Sequence, residues 1–130
     1  MTTSSRTEFV DITSRVHRLV TESGIKEGMA FIFVPHTTAA VTINENADPD
    51  VVRDMVMTLD KLAPWDDPAY HHAEGNSAAH LKASLVGSSV NVMIHGGALS
   101  LGVWQGIYFC EFDGPRTRSV RVGFLESASE

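Results

Sequence analysis

Six histidines occur among 130 residues, and three of them stand beside small polar groups in patterns that could do chemistry. The first pattern is His36 to Asp48, HTTAAVTINENAD. His36, Thr37 and Thr38 follow an apolar run that ends at Pro35, while Asn44, Glu45 and Asp48 stand at the exit of the next strand. Strand ends are where a rigid sheet presents polar side chains to a ligand. His36 is either a ligand or a turn histidine satisfied locally. Asp48 is either a site carboxylate or only the cap of the helix that Pro49 begins.

The second pattern is His72 to Gly87, HAEGNSAAHLKASLVG. Asn76, His80 and Ser84 are spaced by four, so on a helix they form one polar line. Imidazoles from a loop, His72, and from a helix, His80, are a reasonable grip for a divalent metal. The spacing is not that of a strong metal motif such as HExxH, and the competing reading is a helix histidine bonded to backbone. Lys82 is a phosphate partner or a solvated charge. His17 and His71 read as solvent-facing.

The third pattern joins LGVWQ, Leu101 to Gln105, to EFDGPR, Glu111 to Arg116. Adjacent strand positions point to opposite faces, so Trp104 is expected to pack and Gln105 to be available to a site. Arg116 either pairs with Asp113 or contacts a phosphate bidentately. Cys110, mid-strand among aromatics, reads as a buried small hydrophobe.

Secondary-structure signals place these groups. Phe9 and Val10 suggest a short strand. Asp11 is the cap of a helix with Ile12, Val16, Leu19 and Val20 at helical spacing, stopped at Ser23-Gly24. Met29 to Val34 is a doubly covered strand, and 40 to 45 is a strand with one apolar face. A helix runs from Asp48-Pro49 to Ala63, a long loop from Pro64 to Gly75, and a helix from 76 or 77 to Val86 with Ala78, Leu81 and Leu85 toward the core. Strands over 90–95, 103–112 and 119–125 then read as an antiparallel meander. The order predicts one α+β, β-rich domain over 1–130, an antiparallel, jelly-roll-like β-sandwich with two to three flanking helices.

A formal charge of −6 and an apolar content of 43% favour a single soluble core and argue against general binding to nucleic acid or anionic membrane. No apolar run approaches membrane-spanning length. One cysteine excludes an internal disulfide, and the first ten residues carry no apolar signal core, so a cytoplasmic protein is expected. Phosphate loops, paired cysteines and a GxSxG elbow are absent from the sequence.

In HTTAAVTINENADPD, HAEGNSAAHLKASLVG and LGVWQGIYFCEFDGPR, in that order, the chain resembles the YjbQ-like family, described as secondary thiamine-phosphate synthases. The likeness runs from about Phe9 to Leu125. One departure is Val103, where the family reads Leu-Gly-Thr-Trp-Gln. The resemblance implies a homotrimeric β-sandwich and a weak ability to join a pyrimidine methyl pyrophosphate to a thiazole phosphate, releasing pyrophosphate. It implies a pocket of His36, Asn44, Glu45, Asp48, His72, Asn76 and His80. In that scheme His36, His72 and His80 hold a divalent metal, zinc or magnesium, with the all-histidine set favouring zinc or another transition ion. Glu45, Asp48 and His80 are the catalytic candidates; Asn44, Asn76, Lys82, Gln105 and Arg116 contact substrate, a small phosphorylated metabolite. The alternative is a trimer that binds a metal or a phosphorylated metabolite without turnover. A scaffold whose histidines only pack is the third reading.

Overall fold

Strands build two sheets here, each burying alternate side chains in a shared core. A computed structural model describes residues 1–128. In chain order the elements are β1 (Glu8–Asp11), α1 (Thr13–Ser23), β2 (Gly28–Phe33), β3 (Ala39–Glu45) and α2 (Pro49–Leu62). They continue with α3 (Ser77–Val86), β4 (Ser89–His95), β5 (Ala98–Leu99), β6 (Gln105–Glu111) and β7 (Arg121–Glu126). One sheet has the order β1-β6-β3, the other β5-β4-β2-β7, and every pairing is antiparallel. The expected β-sandwich with flanking helices is the fold found.

Ala30, Ile32, Val92 and Ile94 of the four-stranded sheet meet Val41, Ile107 and Phe109 of the three-stranded sheet in one buried core. Helix α1 adds Val16 and Val20 to it. Its N-cap is Ile12 and not the expected Asp11; Asp11, one residue earlier, accepts at Oδ1 both the N–H (2.9 Å) and the hydroxyl (2.6 Å) of Thr13. It stops at Gly24, whose φ of 73° suits a residue without Cβ. The other face of the three-stranded sheet carries Ala40, Tyr108, Cys110 and Phe112 and is covered by Ala79 and Ala83 of α3. This explains why β6 is apolar almost throughout: it is the middle strand of a doubly covered sheet. Cys110 is buried there, as expected.

Four sequence expectations are corrected. Strand β2 is not covered on both faces: Ala30 and Ile32 enter the core, while Phe31 and Phe33 lie exposed on the other side. The last strands do not form a meander: β4 and β5 form a hairpin, but β6 crosses to the opposite sheet and β7 returns to pair with β2. Helix α3 turns Ala78, Ala79, Lys82 and Ala83 inward and leaves Leu81 and Leu85 exposed, because only alanines allow the helix to approach the sheet closely. Val103 and Trp104 lie on a turn ahead of β6 rather than in a strand, and Trp104 is 62% exposed. No helix among the described residues is long and apolar enough to cross a membrane.

Candidate functional site

Antiparallel pairing brings the end of β2, the start of β3, the start of β4 and the end of β6 to the same end of the sandwich. A cavity of about 680 Å³ opens there, lined by His36, Thr37 and Thr38 before β3, Ser88 before β4, and Asp113, Arg116 and Arg118 after β6. The loop after α2 contributes His72 and Glu74, and α3 contributes Asn76 and His80. All three predicted imidazoles thus share one hollow. The turn after β6 contains a cis Gly114–Pro115 bond, and a Cβ at Gly114 would lie 2.8 Å from both Glu111 Cγ and Thr3 Oγ1, so only glycine fits.

Of the lining residues, Arg118 belongs to a buried ion pair. Arg118 Nε and Nη2 donate to Glu111 Oε1 and Oε2 at 2.9 and 2.5 Å, and Nη2 also donates to Thr38 Oγ1 at 2.8 Å. Thr3 Oγ1 donates to Glu111 Oε1 at 2.7 Å and accepts from the Arg116 N–H at 2.9 Å. Burial pushes the Glu111 carboxyl up, but hydrogen bonds from Arg118, Thr3 and the Asp113 N–H, together with the Arg118 charge, outweigh it and hold Glu111 below the usual glutamate value. Neither Glu111 nor Arg118 was singled out by motif spacing. A carboxylate at the end of the run IYFCE, where neighbours are apolar, was the signal that a buried partner was required.

His36 sits against this pair. The Ser119 N–H donates to His36 Nε2 at 2.9 Å, so the neutral ring carries its proton on Nδ1 and offers no free lone pair to a metal. Burial and then the Arg118 charge lower its pKa from the ordinary 6.5. As placed, His36 is a wall residue fixed by backbone, and its assignment as a metal ligand is corrected.

The opposite wall is acidic and imidazole-rich. The rings of His72 and His80 meet edge to face, 5.4 Å between centroids, and His72 Nε2 lies 3.9 Å from Glu74 Oε1. Asn76 Nδ2 donates to Asp113 Oδ2 at 2.9 Å and to Glu74 Oε2 at 3.4 Å. These two carboxylates fix the amide so that Asn76 Oδ1 is sealed from solvent without a partner. Arg116 Nη2 donates to Asp113 Oδ2 at 3.0 Å and Nε to the Asp113 carbonyl at 2.8 Å. The predicted Arg116–Asp113 pair therefore forms, at the cavity rim. Among the described residues no three His, Cys, Asp or Glu side chains converge closely enough to hold a metal as they stand.

Five predicted site residues lie elsewhere. Six strand steps separate Ala39 from Glu45, roughly 20 Å at the usual rise, and Glu45 pairs with Gln105 at the far end of the sheet. Gln105 Oε1 is used by the Gly102 N–H at 2.8 Å, and Val103, 88% exposed on the same turn, is no part of the cavity. Asn44 lines a separate groove beneath α2. The Asp48 carboxylate caps α2 by accepting the Asp50 N–H at 2.9 Å. Lys82 turns away from the cavity and pairs with Asp60 of α2.

A model of the family described as UPF0047 protein YjbQ-like matches residues 1–127. The chain belongs to the YjbQ-like family. Within it, the chain is 56% identical to YugU of Bacillus subtilis over 123 residues, 95% of this chain and 93% of that one. A UPF0047 protein of Methanocaldococcus jannaschii is 52% identical, covering 95% of this chain and 88% of the relative. The crystal structure of an uncharacterised YjbQ/UPF0047 protein from Clostridium acetobutylicum superposes with a TM-score of 0.94 at 57% identity over 96% of both chains. A YjbQ-like protein of unknown function from Sulfolobus solfataricus gives 0.93 at 34% identity, over 98% of this chain and 93% of that one. The YjbQ-like fold is thus the two-sheet sandwich described above, and what its cavity does is a matter for the chemistry of its walls.

Proposed function

We propose that the cavity binds a small phosphorylated metabolite and supports, as a side activity, a thiamine-phosphate synthase reaction. The observation that carries this reading is the meeting of Arg116, Arg118, His36, His72 and His80 on one hollow of about 680 Å³, within the ordinary size for small-molecule sites. In that reaction the bond between the pyrimidine methylene carbon and the pyrophosphate oxygen breaks, and its electron pair leaves with pyrophosphate. The thiazole ring nitrogen supplies the pair for the new C–N bond. No proton has to be removed, so the site needs fixed positive charge and hydrogen-bond donors where negative charge builds up, more than a general base. Two guanidinium groups meet that need, and placing Glu45 and Asp48 outside the cavity removes nothing the chemistry requires.

The donor set fits a divalent ion in part. His72 and His80 would hold it, with Glu74 the carboxylate nearest to His72, and nitrogen donors favour zinc or another transition ion over magnesium. Such an ion would neutralise phosphate oxygens. The alternative reading is binding of the same class of ligand without turnover.

Homotrimerisation has a suitable surface. Phe31, Phe33, Met93 and Leu125 lie exposed on the uncovered face of the four-stranded sheet, and an apolar face of that kind marks a protein contact. Phe33 also lines the cavity, so a neighbouring copy seated on this face would stand at the cavity rim.

Complementation of a thiamine-requiring strain tests the activity, with His80→Ala as the comparison. Rescue by the unaltered protein alone supports the proposed site, and equal rescue by both contradicts it. Calorimetry with pyrophosphate separates turnover from capture: saturable binding without product from the two phosphorylated substrates leaves the binder.

A further inference from the structure

Arg118 is only 6% exposed, yet it lines the cavity. Its guanidinium is divided between two duties. Nε and Nη2 are taken by Glu111 and Thr38, while Nη1 makes no hydrogen bond to any other described residue. Nη1 is also not sealed, because the one sealed side-chain N or O atom without a partner among the described residues is Asn76 Oδ1. Arg118 touches a second, smaller cleft beside α1 as well. Nη2, beside Nη1 on the same guanidinium, donates to Thr38 Oγ1, and Thr38 lines the large cavity and not the cleft.

Such an arrangement does two things at once. Glu111 balances the buried charge while the site is empty of ligand, which keeps the folded chain from carrying an unpaired cation. The planar fork, held through Nε and Nη2, leaves the N–H groups of Nη1 already oriented, so binding an oxyanion costs little side-chain entropy. Arg116, held at the rim by Asp113, supplies a second guanidinium.

We propose that Arg118, and not Lys82, is the residue that reads the ligand's phosphoryl group, its Glu111-locked guanidinium presenting Nη1 to a phosphate or diphosphate oxygen in the cavity. This deepens the reading of the cavity as a phosphorylated-metabolite site and rests on it. A ligand without a phosphoryl or similar oxyanion is then a poor occupant whatever its organic part.

Lysine at 118 is the informative change, because its single nitrogen pairs with Glu111 and nothing remains to face the cavity. Calorimetry with pyrophosphate, and separately with inorganic phosphate, is carried out on the unaltered protein, Arg118→Lys and Lys82→Met, with thermal unfolding as the fold control. Loss of a charge-assisted hydrogen bond weakens binding by about tenfold or more, so Arg118→Lys should bind at least that much more weakly while Lys82→Met stays within about twofold. Should Arg118→Lys not fold, Glu111→Gln/Arg118→Gln, an uncharged amide pair, is expected to show the same loss. Either Arg118 variant binding as tightly as the unaltered protein overturns the inference and leaves the cavity assignment standing. No pyrophosphate or phosphate binding by the unaltered protein overturns the cavity assignment itself, and this inference with it.

Discussion

The backbone N–H of Ser119 donates to Nε2 of His36 at 2.9 Å, and through this bond the segment entering β7 holds an imidazole on the cavity wall. Protonation at Nε2 would set two N–H groups against each other, beside a guanidinium whose charge already disfavours it. The folded-state pKa of His36 is below the ordinary 6.5, so between the two values the unfolded chain binds more protons than the folded one. Its contribution to stability is complete above 6.5 and is lost as pH falls through the folded value. Urea unfolding at pH 7.5 and pH 5.5 should show a loss toward acid that His36→Gln reduces; an unchanged pH dependence in that variant contradicts the assignment.

Glu111 and Arg118 are both almost fully buried, so removing one partner strands the other. Glu111→Ala is expected to cost about 3–5 kcal/mol, the usual penalty for breaking a buried pair. Glu111→Leu/Arg118→Met should recover part of that loss, because no uncompensated charge remains. Denaturant midpoints check both, and a cost below about 1 kcal/mol for Glu111→Ala would mean that Arg118 is not stranded by the change.

Lys82 is 3% exposed and Asp60 half exposed, which makes the two substitutions unequal. Asp60→Ala leaves a buried ammonium without a partner and should cost about 2 kcal/mol. Lys82→Met keeps the volume and removes the charge, so it should cost less. Chemical denaturation of the two variants reads the order directly; the reverse order would mean that Lys82 has a partner elsewhere.

What the residue pattern made legible follows the strength of the local signal. Capped and proline-started helices, the β2 and β4 strands, and the imidazoles of His36, His72 and His80 were readable because each stands beside punctuation: Pro35, the Pro64–Gly75 loop, the Asn76 helix start. Glu45 and Asp48 misled because a motif compact in sequence spans a whole strand, so its two halves lie at opposite ends of the sandwich. Helix α3 differs from the reading because Leu81 and Leu85 outweigh the alanines in an apolar pattern, while it is Ala78, Ala79 and Ala83 that pack. The meander failed because strand pairing over long separations leaves no local trace: β6 joins β1 and β3, and β7 joins β2. Arg118 was missed because its partner Glu111 lies seven residues back across a turn.

The exposed Phe31, Phe33, Met93 and Leu125 face makes the proposed homotrimer testable without reference to activity. A lysine at Met93 places a charge at the middle of that face and should shift the protein to a monomer in sedimentation or light scattering. Thermal unfolding of the dissociated form at fixed concentration should occur at lower temperature, since association stabilises the folded state by mass action. An unaltered protein that sediments as a monomer, or a Met93→Lys variant that stays trimeric, contradicts this use of the surface.

On the proposed reading, ligand binds in one cavity lined by His72, His80 and Arg118. Histidine ring and arginine side-chain NMR signals followed through a pyrophosphate titration test it most directly. The expected result is saturable movement of the His36, His72, His80, Arg116 and Arg118 signals with one common affinity, while His17 and His95, which lie off the cavity, stay still. Signals that do not move at saturating pyrophosphate, or that move at His17 and His95 instead, would contradict the account.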